Sequence, residues 1–138
     1  RTAVHPNSGV CFIENGYRDS IHHVQNYSAV TGACLMIKKE LFDKLGGLDE
    51  ELAVAYNDVD FCLRLRRRGL LNVYVPQALL FHYESKSRGY DDKGERHERF
   101  LRESQLFRDR WQNIIDDGDP YYNVNLSKEV PWKPEIKM

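Results

Sequence analysis

No regular element in the middle of this chain can run far, because glycine or proline interrupts it at Gly46, Gly47, Gly69, Pro76 and Gly89. Glycine reaches left-handed backbone at little cost and proline lacks an amide donor, so both end elements rather than extend them. Between Gly47 and Gly69 lies LDEELAVAYNDVDFCLRLRRR, which has room for one helix of about three turns. That helix is predicted over 58–68. Asn57 or Asp58 would cap it, Asp60 would face the positive end of its dipole, and Val59, Cys62, Leu63 and Arg66 would share a face.

The neighbouring segments are equally short. Residues 38–45 read as a two-turn helix with Leu41, Phe42 and Leu45 on its apolar side and Gly46 as the left-handed residue after it. AVTGACLMI at 29–37 is a nearly continuous apolar run, suited to a buried strand. LLNVYV at 70–75 has strand composition, and after Pro76 a second apolar run at 78–83 ends at His82. Upstream, the apolar run 10–13 precedes Asn15-Gly16, a pair that can close a hairpin. Phe100, Leu101, Ser104, Phe107 and Trp111 form a helical stripe over 95–112. The tail 116–138, with Pro120, Pro131 and Pro134, is predicted as an extended arm over the core, packed by Tyr121 and Tyr122.

These elements make an α/β chain of 138 residues, one domain's worth, able to bury about two thirds of its unfolded surface. A formal net charge of -1 argues against nucleic acid or any other broadly charged partner. RLRRR at 64–68 is read as a solvated face that compensates the helix dipole. No apolar run approaches the ~18 residues that cross a bilayer, and no signal-peptide pattern is present, so the chain is expected to be cytoplasmic. Cys11, Cys34 and Cys62 are odd in number and lack CxxC spacing, which predicts buried free thiols. His22 and His23 are adjacent rather than at ligand spacing. The start at Arg1, in a polar and turn-rich opening, reads as a piece of a longer protein.

Chemistry concentrates at element junctions. Asp58 and Asp60 stand two positions apart at a helix start, so their side chains diverge by about 200° and do not readily share a metal. One would face a cleft as a general base, the other serving as a cap or as partner to a basic group; plain capping competes with this division. His82 ends its apolar run where a loop begins, a place for metal or phosphate contact. Ser85, Ser87, Arg88 and Gly89 beside it offer hydroxyls, a guanidinium and open amides to an anionic phosphate.

Four segments, NYSAVTGACLMIKKELFDKLGGLDE, AYNDVDFCLRLRRRG, FHYESKSRG and DPYYNVNLS, together resemble a known family. They are similar to the carboxyl-terminal half of the catalytic domain of family-two, inverting glycosyltransferases, especially bacterial enzymes of O-antigen and related polysaccharide biosynthesis. The resemblance covers nearly the whole chain and is most specific over 26–123. It implies the carboxyl-terminal part of a GT-A (nucleotide-diphospho-sugar transferase) fold, with short mixed strands, two to three main helices and an extended tail.

The same resemblance implies that Asp58 is the catalytic base and that Asn57 and Asp60 lie on the acceptor side. Gly32, Ala33 and Cys34 would line the cleft, and His82, Ser85, Ser87 and Arg88 would approach the donor diphosphate, His82 also being a metal candidate. The family usually has glutamate where this chain has Asn57, an amide that can bond an acceptor hydroxyl without supplying charge. The implied partners are a nucleotide-sugar donor and a saccharide acceptor, with Mg or Mn bound by an upstream Asp-x-Asp half that this sequence lacks. The chain alone is therefore expected to be inactive and metal-free, and the full-length enzyme to sit in the cytoplasm, peripheral to the inner membrane. A non-catalytic carbohydrate- or protein-binding module is the alternative. Surface bared by a missing half would favour self-association.

Overall fold

The computed structural model describes residues 16–80, 93–127 and 129–134. Within them, glycines of positive φ stand at the helix ends. Helix α1 (Lys39–Lys44) gives way to Gly46 at φ 80°, α2 (Asn57–Arg66) to Gly69 at φ 76°, and α3 (Gly94–Asp117) to Gly118 at φ 84°. Strands β1 (Gln25–Tyr27) and β2 (Asn72–Tyr74) pair antiparallel with Tyr27 opposite Asn72. The Tyr27 and Tyr74 rings meet edge-on across this pair at 6.0 Å. Buried Asn72 fastens the sheet to α2 by donating from Nδ2 to the carbonyls of Ser28 (2.9 Å) and Cys62 (3.2 Å).

α2 is enclosed on more sides than its sequence indicates. Asp60, Phe61, Cys62, Leu63 and Leu65 are all buried, so the predicted single face is too narrow. Leu52, Leu63, Phe107 and Trp111 form the centre of the core, with Tyr56, Val59, Leu106, Ile114 and Ile115 packed around them. The Tyr56 ring stacks on Phe107 at 4.8 Å, and Phe42 of α1 tilts against Phe61 at 5.3 Å. Gly47 has two reasons to be glycine: its φ is 69°, and a Cβ there would lie 3.1 Å from the Phe42 ring.

Several expectations are corrected. Residues 29–37 form no strand; Gly32–Cys34 is a 3-10 turn whose Ala33 N–H donates to Thr31 Oγ1 at 3.3 Å, with Cys34 and Met36 exposed. A hydroxyl that bonds local amides offers the backbone an alternative to a ladder. Residues 78–80 also carry no strand, because the chain turns after Pro76, with Ala78 N–H on the Val75 carbonyl at 3.1 Å. The run 10–13, Asn15, Cys11 and residues 81–83 lie outside the described residues.

α3 outruns its predicted span, and on it Leu101 is exposed while Glu103 is buried with Ser104, Phe107 and Trp111. After Gly118 the described residues of the tail, 119–127 and 129–134, fold largely in turns. Tyr122 Oη donates to the Ser127 carbonyl at 2.8 Å and accepts from Trp132 N–H at 3.0 Å, and Trp132 stacks on Tyr17 at 4.8 Å. The arginines of 64–68 are not simply solvated: Arg67 lies over the Trp111 ring at 4.1 Å, and Arg66 donates to Ser28 Oγ at 2.8 Å beneath Tyr121. No described helix is long and apolar enough to cross a membrane.

Trp111 has no exposed surface, and large-to-small changes at such sites cost the transfer energy plus a cavity. Trp111→Ala is expected to destabilise the fold by about 3–5 kcal/mol, read from the midpoint of urea unfolding at unchanged m-value.

Candidate active site

Asp58 and Asp60 diverge as their spacing requires, and their environments are opposite. Asp60 is 0% exposed. Its Oδ2 accepts from Arg64 Nε at 2.8 Å, and its Oδ1 accepts from Arg110 Nη1 and Trp111 Nε1, both at 2.9 Å. Arg64 also donates to the carbonyls of Leu45 (2.8 Å) and Gly47 (2.7 Å), closing the turn that follows α1. Arg110 reaches Asp49 Oδ2 at 2.6 Å. Asp60 is thus partner to basic groups, one of the two roles open to it from sequence, with three N–H donors on its two oxygens away from solvent. For the same reason Asp58-Val59-Asp60 does not fit a divalent metal.

Burial opposes the Arg110 charge, yet its bonds to Asp60 and Asp49 outweigh that and hold the guanidinium above its ordinary pKa. The Glu51 N–H, with Arg110 behind it, holds the Asp49 carboxyl below its usual range.

Asp58 is half-buried in the first turn of α2. Neither it nor Asn57 is the N-cap; Tyr56 is, in left-handed backbone (φ 62°, ψ 8°) with no capping side-chain bond. Asn57 Oδ1 instead accepts from Asp58 N–H at 2.7 Å. Asp58 Oδ1 accepts from Val59 N–H at 2.8 Å, and Oδ2 accepts from Gly32 N–H at 2.7 Å. A carboxylate oxygen has two acceptor sites, so each retains one for an incoming hydroxyl.

Gly32 lies directly against this carboxylate: a Cβ there would stand 3.2 Å from Asp58 Cβ and 3.5 Å from Oδ2. The expected cleft-lining residue therefore touches the expected base, and Ala33 and Cys34 continue from it as an exposed turn. Buried Cys62 donates from Sγ to the Val30 carbonyl at 3.8 Å, and burial, with the nearby Asp58 charge, pushes its thiol pKa up. His82, Ser85, Ser87 and Arg88 lie outside the described residues. Among the described residues no group of three or more His, Cys, Asp or Glu is placed to hold a metal ion.

Glu103 was not anticipated. Its Oε2 accepts from the N–H groups of Val54 (3.2 Å) and Ala55 (2.5 Å), in the loop that leads into Asn57 and Asp58. The available signal was spacing, since Glu103 lies three residues after Phe100 and four before Phe107, a carboxylate on an apolar stripe.

Gly32→Ala is expected to push Asp58 off its amide and cost about 1 kcal/mol, with faster hydrogen exchange at residue 32 as the direct readout. The depressed Asp49 pKa contributes stability at neutral pH that is lost as pH falls through and below its ordinary value of 3.8. Asp49→Asn should therefore flatten the acid side of the stability-pH curve, measured by thermal melting.

No family model and no solved structure matches the chain. An uncharacterised protein of Sinorhizobium fredii is 50% identical over 115 residues, 83% of this chain and 12% of that protein. The O-antigen biosynthesis protein RfbC of Myxococcus xanthus is 38% identical over 110 residues, 75% of this chain and 8% of that protein. The dTDP-rhamnosyl transferase RfbF of Shigella flexneri is 35% identical over 79 residues, 53% of this chain and 27% of that protein. The chain spans only 8% to 27% of the length of these relatives. It is homologous to a segment of an O-antigen biosynthesis protein and to a segment of a bacterial rhamnosyl transferase, in line with the glycosyltransferase family its own motifs resemble.

Proposed function

We propose that this chain is the acceptor-side, carboxyl-terminal part of the catalytic domain of an inverting GT-A glycosyltransferase, with Asp58 as its base. The donor would be a nucleotide-diphosphate hexose or deoxyhexose and the acceptor a growing saccharide, in cell-surface polysaccharide synthesis. The nucleotide and the Mg or Mn ion are assigned to an upstream part of the enzyme, because the Asp-x-Asp of this chain does not fit a metal. His82, Ser85, Ser87 and Arg88 are assigned to the donor-diphosphate side. The intact enzyme would work in the cytoplasm, peripheral to the inner membrane.

The observation that carries this reading is that Asp58 is the outward carboxylate of the pair, fixed by two amides, while Asp60 is sealed inside. In the proposed step an acceptor hydroxyl gives its proton to Asp58 as its oxygen attacks the anomeric carbon. The glycosidic bond forms as the bond to the diphosphate breaks, and a single displacement inverts the configuration. Asn57, half-buried beside the base, would bond a neighbouring acceptor hydroxyl.

Asp58→Asn in the intact enzyme removes the proton acceptor at nearly constant shape. Turnover is expected to fall by about 10²–10⁴-fold, and a near-normal kcat refutes the assignment. The isolated chain, lacking the donor half, is expected to transfer no sugar.

A further inference from the structure

We infer that Glu103 is a positioning residue for the Asp58 carboxylate, a reading that rests on Asp58 being the base. Glu103 stands in the middle of α3, 4% exposed, and contributes one oxygen to two successive backbone amides of the 53–56 loop. Those amides belong to Val54 and Ala55, two and one residues before Tyr56. Tyr56 is a side-chain-bearing residue held in left-handed backbone, a sparsely populated conformation that survives where its surroundings over-determine it.

α3 supplies those surroundings on both sides of the turn. Glu103 holds the backbone entering it, while Phe107, one helical turn later, stacks on the Tyr56 ring at 4.8 Å, and Phe100 meets the same ring at 6.2 Å. Tyr56 is the N-cap of α2, so the direction taken there sets where the first turn of α2, and Asp58 in it, points. Among the described residues, the far side of Asp58 is held by the Gly32 amide, from an exposed turn. Two half-buried amides without their acceptor would carry a desolvation penalty, so the loop would shift to find water. A base displaced by a fraction of an ångström loses rate while substrate binding stays intact.

The test uses the intact transferase. Glu103→Met keeps the side-chain length and removes the acceptor, whereas Glu103→Gln keeps a carbonyl acceptor and removes the charge. The Met variant is expected to lose about 10–100-fold in kcat with both KM values nearly unchanged, and the Gln variant to recover most of that loss. Combined with Asp58→Asn, Glu103→Met should cause no further loss, because its effect passes through the base. A Met variant with wild-type kcat, or an equal loss in the Asp58→Asn background, overturns the inference. Glu103→Ala, which admits water to the two amides, replaces the Met variant if melting shows that one unfolded. Near-normal turnover of Asp58→Asn alone would instead overturn the base assignment, so the two failures are distinguishable.

Discussion

Asp60 lies out of reach of water with three N–H donors on its two oxygens, and each donor belongs to a side chain that organises a different region. Arg64 extends from it to the end of α1, Arg110 to Asp49 before α2, and Trp111 into the core. Removing such a carboxylate from water costs several kcal/mol, and the attraction it gains inside offsets that only when close, well-aligned donors reach both oxygens. Net stability therefore comes chiefly from the apolar contacts of Leu52, Leu63, Phe107 and Trp111, at roughly 25 cal/mol per Å² buried. The cluster contributes uniqueness of arrangement: any shift of α2 against α3 would leave a buried charge without its partner.

The outward carboxylate follows from the inward one. Once Asp60 is fixed against α3, helical geometry points the residue two positions earlier about 200° away, toward the turn at Gly32. The absence of a side chain at Gly32 lets its amide come within 2.7 Å of Asp58 Oδ2. The same helix α3 that anchors Asp60 also carries Glu103 and Phe107, so a single element sets the depth of α2 and the direction from which the chain enters it.

Local chemistry was readable where a residue type leaves the backbone little choice. Gly46 and Gly69 end helices because left-handed backbone is cheap for glycine, and the stripe of Phe107 and Trp111 located α3. The apolar run at 29–37 misled, because an unbroken apolar segment indicates burial or strand only when a partner strand is at hand, and here Thr31 and Asp58 take the amides of Ala33 and Gly32. Cys34 was misplaced inside for the same reason. The arginines at 64, 66 and 67 looked like a solvated run because, Asp60 and Phe61 beside Arg64 apart, their partners lie 17 to 55 residues away, as Gly47 and Tyr121 do.

The sequence by itself determined the junctions, because glycine conformational freedom is a property of local chain chemistry, and the resemblance of its motifs singled out Asp58 as the candidate base. It also limited Asp58 and Asp60 to different roles, since 100° per residue turns neighbours two apart to opposite sides. Which of the two faces outward was decided only by tertiary structure, because it depends on where Arg110 and Trp111, about fifty residues downstream in sequence, place their N–H donors. The role of Glu103 was decided there too, since a buried carboxylate is tolerated only when folding brings it to amides such as those of Val54 and Ala55.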